Sequence, residues 1–218
     1  MRVDFISRLE AVQQAHQSRV ALMLAPYVGR MPGVIQKYDD PFFPFGRAII
    51  EATRDIVCGY VFDLAAYLAI GAAGAIALER TVAYARGDAV TILHGPFASP
   101  AYVQLMDENA FGVDAVTLDN VQYLDHYLTR RDRSAFVVAR GEPSLLDAPD
   151  NSGIYWLDAA QREAAEASLT RGIKVMMGAP NLIRGGSHSG NVAARELAEL
   201  GLLDILSSDY VPSSLLTG

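Results

Sequence analysis

The stretch "IRGGSHSGN", residues 183–191, holds the densest set of groups able to do chemistry. Gly185, Gly186 and Gly190 leave room for backbone N–H groups to converge on a ligand. Arg184, Ser187, His188 and Ser189 add donors, and a helical pattern starting at Asn191 would point its positive end at the loop. That combination suits a phosphate or another anion. A glycine-rich turn with no ligand fits the same residues, so both readings stay open. Asp209, in "SSDY", is a carboxylate at the end of an apolar run. The earlier apolar runs end almost bare: Ala25 and Pro26, then Val61 and Phe62, then "TILHGPFASP" with His94 as its one ionisable group. Later ends carry Asp119 with Asn120, and Arg140 with Glu142. General acid–base catalysis needs a positioned titratable group, and the first three ends offer little.

The elements that must position these residues alternate. Strands are expected at Val20–Leu24, Ile56–Val61, Ala89–Leu93, Ala115–Leu118, Ala135–Ala139, Ile154–Leu157, Lys174–Met177 and Asp204–Leu206. Helical patterns lie between them. "FGRAIIEATRDI" places Ile49, Ile50 and Ile56 near one face, and "AAGAIALERTVAYA" carries Ile76, Val82 and Tyr84. "DAAQREAAEASLTRG" and "NVAARELAELG" each begin at a capping residue and end at glycine, with Asn191 and Gly201 in those roles in the second. Strands separated by helices imply parallel pairing with right-handed crossovers. Eight of them predict an α/β fold, a short (β/α)₈ TIM-type barrel; an open doubly wound sheet is the alternative. The sequence stops soon after the eighth strand, so the last covering helix is expected to be largely missing.

Composition narrows the classes. With 218 residues, 51% of them hydrophobic and 20% charged, one folded domain over 1–218 is expected. A net charge of -7 gives no basic footprint for nucleic acid. A single cysteine, Cys58, allows no internal disulfide and fits a cytoplasmic location; its apolar surroundings mark it as a buried small hydrophobe. The N-terminus reads as an amphipathic helix rather than a signal peptide. The apolar segment Ile56–Leu78 is split by Asp63 and reads as a strand and a helix, not a membrane span. His16 and His126 read as exposed helical histidines.

The stretch "DPFFPFGRAIIEATRDIVCGYVFDLAAYLAIGAAGAIALERTVAYA", residues 40–85, resembles the orotidine 5'-phosphate decarboxylase family. So do "LAPYVGRMP" before it and "VDAVTLDN" and "FVVARGEPS" after it, over roughly residues 1–145. The resemblance implies a barrel whose early strand ends carry alternating lysines and aspartates. Here those positions fall on Ala25, Val61, and Leu93, Gly95 and Ala98; a one-residue slip moves the last three to His94, Pro96 and Ser99. Neither register keeps the catalytic set. Arg140 alone matches at a strand end. The family also implies a homodimer meeting at the strand mouths.

From about residue 165 the similarity changes. "GAPNLIRGGSHSGN" and "SSDY" resemble the phosphonate-pathway amidohydrolases that remove diphosphate from ribose 1-methylphosphonate 5-triphosphate. That resemblance makes Asp209 a metal ligand and proton acceptor and His188 a loop histidine, both catalytic by analogy. Zinc sites usually take about three protein ligands. His94 is the remaining candidate, and no His-x-His is present, so no metal or other cofactor is expected. The seam between the resemblances falls near 140–165.

Three classes follow. The first is a catalytically silent decarboxylase-like barrel binding a phosphorylated ribose-type ligand through Arg184, Gly185, Gly186, Ser187, His188, Ser189, Gly190, Asn191 and Arg140. The second is a metal-dependent phosphohydrolase using Asp209, His188 and His94. The third is a decarboxylase with relocated chemistry, for which the sequence offers no groups.

Overall fold

The computed structural model describes residues 3–119, 121–139, 154–157, 174–178 and 193–207. Eight parallel strands close into one barrel in sequence order: β1 (Val20–Leu24), β2 (Gly59–Asp63), β3 (Val90–Phe97), β4 (Ala115–Leu118), β5 (Ser134–Ala139), β6 (Ile154–Leu157), β7 (Lys174–Gly178) and β8 (Ile205–Ser207). The ring closes where Val20 aligns with Leu206 and Ala21 with Ser207. This is the (β/α)₈ architecture, with the open sheet excluded. The seam near 140–165, the helix pattern at 158–172 and the expected loss of the last covering helix, at 208–218, lie largely or wholly outside the described residues.

Alternation along each strand sorts the side chains. Ala21, Met23, Val61, Val90, Ile92, Ala115 and Phe136 form one apolar cluster inside the ring. Tyr60, Phe62, Leu93, Val116, Leu118 and Val137 belong to a second, outer cluster shared with the covering helices. Both faces are buried, so the strands read as continuous apolar runs.

The outer layer is built by α2 (Phe42–Thr53), α3 (Leu64–Leu68) and α4 (Ala72–Ala85). Asp63 ends β2 and caps α3, its Oδ1 accepting from the Ala66 N–H at 2.9 Å. Gly74 lets α4 run against α3, because a Cβ there would overlap the Tyr67 carbonyl. Ile56 does not join the α2 face: the helix stops at Thr53 and Ile56 stands exposed in the turn that follows. Ile76 is likewise exposed, whereas Val82 is buried.

The N-terminal helix, α1 (Phe5–His16), closes the floor of the barrel. Phe5 and Leu9 enter the inner cluster, each burial stabilising by roughly 2 kcal/mol. Three tethers hold α1 against residues just before strands. The Phe5 N–H donates to the Arg131 carbonyl at 2.9 Å, and His16 Nδ1 lies 2.8 Å from the Val57 carbonyl oxygen. Arg8 pairs with Asp114 at 2.8 Å. His16 is therefore a half-buried structural contact, not an exposed helical histidine; His126 is exposed as expected. No helix among the described residues is long and apolar enough to cross a membrane.

Asp114 is the hub of that floor. Its Oδ2 accepts from the Thr91 N–H and hydroxyl, both at 2.9 Å, and its Oδ1 accepts from Arg133 Nη1 at 3.0 Å. It thus joins the starts of β3, β4 and β5 to α1. Arg133 and Asp114 are both buried, so removing the carboxylate strands a charge. Asp114→Ala is expected to cost about 3 kcal/mol in urea denaturation. Gly74→Ala should cost about 2 kcal/mol by forcing α3 from α4, while Gly33→Ala, where nothing lies within reach, should be near neutral. Burial pushes the Cys58 thiol up to about 11. The folded state therefore holds its proton more tightly than the unfolded chain. This contribution to stability is full below about pH 9 and falls as pH rises towards 11. Cys58 should react with a thiol reagent at neutral pH no faster than the chain globally opens.

Candidate functional site

Active sites of such barrels sit at the C-terminal ends of the strands. At this mouth the described chain places Ala25 after β1, Asp63 at the end of β2, His94 on β3, and Thr117 and Asp119 at the end of β4. Asp63 and His94 align across the β2–β3 pair. Asp63 is engaged as the cap of α3.

His94 faces inward, because it follows Val90 and Ile92 in alternation and both of those lie in the inner cluster. Leu93 faces outward into the outer cluster. Among the positions compared with the decarboxylases, the one on β3 that looks into the mouth is thus His94. Its Nδ1 lies 3.1 Å from Thr117 Oγ1, a fully buried hydroxyl that also accepts from the Gly95 N–H at 3.0 Å. Since that oxygen already accepts from Gly95, its own proton is available to Nδ1, which fixes the ring's orientation. The β3–β4 register shifts between Leu93 and Phe97, and Gly95 sits in that irregularity. A Cβ on Gly95 would fall 2.6 Å from the Phe97 ring, so glycine is needed there. Phe97 in turn stacks on Tyr102 with centroids 4.7 Å apart. Tyr127 donates to the Ser99 carbonyl at 2.5 Å, and burial pushes its hydroxyl up to about 12, which keeps it neutral.

Val61 is fully buried between Met23 of β1 and Ile92 of β3 in register. Ala25 is exposed and Asp119 is exposed, the latter's N–H donating to the Phe97 carbonyl at 3.3 Å. The described part of the mouth is therefore apolar on β1, ends in the helix-capping Asp63 on β2, and carries an imidazole–hydroxyl pair on β3 and β4 with the exposed Asp119 beyond it. It can orient a hydrogen-bonding ligand, and none of the described C-terminal strand ends carries a lysine. Among the described residues no group of three or more histidine, cysteine or acidic side chains comes together to hold a metal. Arg140, Arg184, Gly185, Gly186, Ser187, His188, Ser189, Gly190, Asn191 and Asp209 lie outside the described residues. The helix after the glycine-rich loop runs from Ala194 to Glu199 with Ala193, not the expected Asn191, at its N-cap, and Gly201 takes a left-handed φ of 69° at its end, as expected of the stop residue. The role of Thr117 escaped sequence reasoning. Its signal was slight: a hydroxyl two residues before Asp119 on an otherwise apolar strand.

No protein-family model matches the chain. A decarboxylase of orotidine 5'-phosphate from Roseiflexus castenholzii is 30% identical over 203 residues, covering 88% of this chain and 72% of that relative. The chain spans about half of some other relatives, 54% of the decarboxylase from Herpetosiphon aurantiacus, to which it is 31% identical over 150 residues. A separate similarity reaches 78% over 54 residues, a quarter of this chain but 14% of the partner sequence. That partner is the alpha-D-ribose 1-methylphosphonate 5-triphosphate diphosphatase of Escherichia coli. In three dimensions, a Toxoplasma gondii structure assigned to the orotidine-monophosphate decarboxylases superposes with a TM-score of 0.71 at 19% identity. That match covers 94% of this chain and 87% of the other and speaks to the fold. Identity across most of the chain, the closed eight-stranded ring and the matching folded neighbour agree: the chain belongs to the orotidine 5'-phosphate decarboxylase family.

Proposed function

We propose that this chain is a decarboxylase-family barrel that does not decarboxylate and instead holds a phosphorylated ribose-type ligand at the loops after β7 and β8. The observation that carries the first half is Val61. It occupies the place where the family resemblance puts a lysine, and it is sealed in the apolar interior between Met23 and Ile92. A protonating group cannot be supplied from that position. Ala25 and outward-facing Leu93 support the same reading. The second half rests on residue chemistry: Arg184, the glycines at 185, 186 and 190, Ser187, His188, Ser189 and Asn191 form an anion-binding pattern, with Arg140 a further cation. His94, held by Thr117, would meet the ligand from β3. No metal or cofactor is part of this reading. The barrel acts in the cytoplasm, as a homodimer, and without nucleic-acid or membrane partners.

A second reading is a metal-dependent phosphohydrolase built on Asp209, His188 and His94. The 78% identity to the diphosphatase over 54 residues favours it.

The purified chain is expected to release no carbon dioxide from orotidine 5'-phosphate and to bind uridine 5'-phosphate or ribose 5-phosphate in calorimetry. Arg184→Ala should weaken that binding about tenfold, equivalent to about 1.4 kcal/mol. Turnover would sink the first half; no binding of either ligand would sink the second. Stoichiometric zinc or manganese, with triphosphate hydrolysis lost in Asp209→Asn, would establish the phosphohydrolase instead.

A further inference from the structure

The floor of the barrel holds a cavity of about 420 Å³. Its charged lining is Arg8, Arg86, Arg133, Asp114, Asp132 and Glu108. Asp114 is a single carboxylate shared by two guanidinium groups, Arg133 Nη1 at 3.0 Å and Arg8 Nη2 at 2.8 Å. Across the whole lining three arginines face three carboxylates. Asp132 is held through both oxygens by Arg130, at 3.2 and 3.0 Å, and Arg130 also reaches Asp107 at 3.2 Å. Arg86 brings a further charge. Its Nη2 donates to the Phe111 carbonyl at 2.7 Å, a neutral acceptor, and it lies against Gly112, where any Cβ would overlap the guanidinium.

The donors at this hub outnumber their acceptors. Arg8 Nε and Nη2 and Arg133 Nε are buried without a hydrogen-bond acceptor; the Arg8–Asp114 contact is an ion pair whose angle does not make a hydrogen bond. Arg133 is 7% exposed. A buried N–H left unpaired costs about 1–3 kcal/mol, and more when charged. Two of them, the Nε groups of Arg8 and Arg133, beside one cavity call for an acceptor that the described residues do not supply. We propose that this floor cavity is a binding site for a small oxyanion, a phosphate or carboxylate group, bridging Arg8 and Arg133. Two guanidinium forks match the planar oxygens of such a ligand. Arg8, with 37% of its side chain exposed, is the member that turns to admit it; Arg133, braced by Asp114, is the fixed wall. Bound there, the anion ties α1 to the starts of β4 and β5 and so stabilises the fold rather than serving chemistry at the mouth.

The test uses the whole chain and inorganic phosphate, titrated at constant ionic strength against chloride. The melting temperature should rise saturably, and phosphate should slow labelling of Arg8 by phenylglyoxal, mapped by mass spectrometry, at least fivefold. Arg8→Met, which keeps the aliphatic stem, should raise the phosphate midpoint at least tenfold. Arg184→Ala, in the glycine-rich loop, should leave the Arg8 protection intact, which separates this site from the ligand proposed at the mouth. Acetate acting in the same Arg8-dependent way would extend the site to carboxylates and support it. Equal Arg8 labelling with and without either anion overturns the proposal. So does a thermal response abolished by Arg184→Ala and kept by Arg8→Met. Should Arg8→Met fail to fold, the labelling of the unaltered chain still decides.

Discussion

The pairing of β8 with β1 is the constraint on which the molecule depends. Val20 opposite Leu206 and Ala21 opposite Ser207 turn an open parallel sheet into a ring. An open parallel sheet would expose two edges of unpaired N–H and C=O groups, and closure removes both. Closure also fixes strand tilt and stagger, so the inner side chains must fill a space of set width. Small residues, Ala21, Gly59 and Ala115, alternate there with Val61, Ile92 and Phe136. Phe5 and Leu9 of α1 plug the lower end. Arg19 adds a second bond across the closure, its Nη1 donating to the Leu203 carbonyl at 3.0 Å.

Charge is placed unusually for a barrel of this family. A desolvated mouth crowded with lysines and aspartates is costly and is kept for catalysis. Here the described β1 end is apolar and Asp63 at the β2 end is taken up as a helix cap, while the buried charges among the described residues gather at the floor around Asp114. The physical consequence is a trade. Burying Asp114 with Arg8 and Arg133 costs desolvation, which their pairing and hydrogen bonds offset. What the floor gains is connection: one carboxylate links α1, β3, β4 and β5 through four contacts of 2.8–3.0 Å.

Strand number and order were legible because strands buried on both faces become uninterrupted apolar runs, and three of the eight match their expected bounds. The ends that moved have local causes. β2 starts at Gly59, not Ile56, because the Ile56 and Val57 N–H groups both bond back to the Thr53 carbonyl and prolong the turn after α2. β3 continues to Phe97 because Gly95 tolerates a register shift and finds its acceptor in Thr117, twenty-two residues on. Such a partner leaves no trace in local pattern. The same holds for His16, whose bond to Val57 spans forty-one residues, and for Asp114, which reads as a lone acid before a strand. At the mouth, the loss of the lysine at Val61 was plain from the residue, but the inward aim of His94 needed the strand's actual extent to Phe97.

The two similarities of this chain bear differently on fold and on chemistry. To complete the ring, the C-terminal segment must supply backbone register and an apolar outer face, and both are in place. β7 and β8 pair from Met176 with Ile205 through Gly178 with Ser207, and Ala194, Leu197, Leu202 and Leu203 are buried. Neither requirement involves the residues that act at a mouth. A strand–helix–strand unit similar to one barrel can therefore close another whenever stagger and side-chain volume agree, whatever its loops once bound. Catalysis asks for more: groups from several strands meeting within hydrogen-bonding distance of one substrate. A barrel joined across two families meets the first condition by generic packing and the second only if both halves carried the same site. In this chain the ring is complete, while Val61 stands buried where the family resemblance puts a lysine.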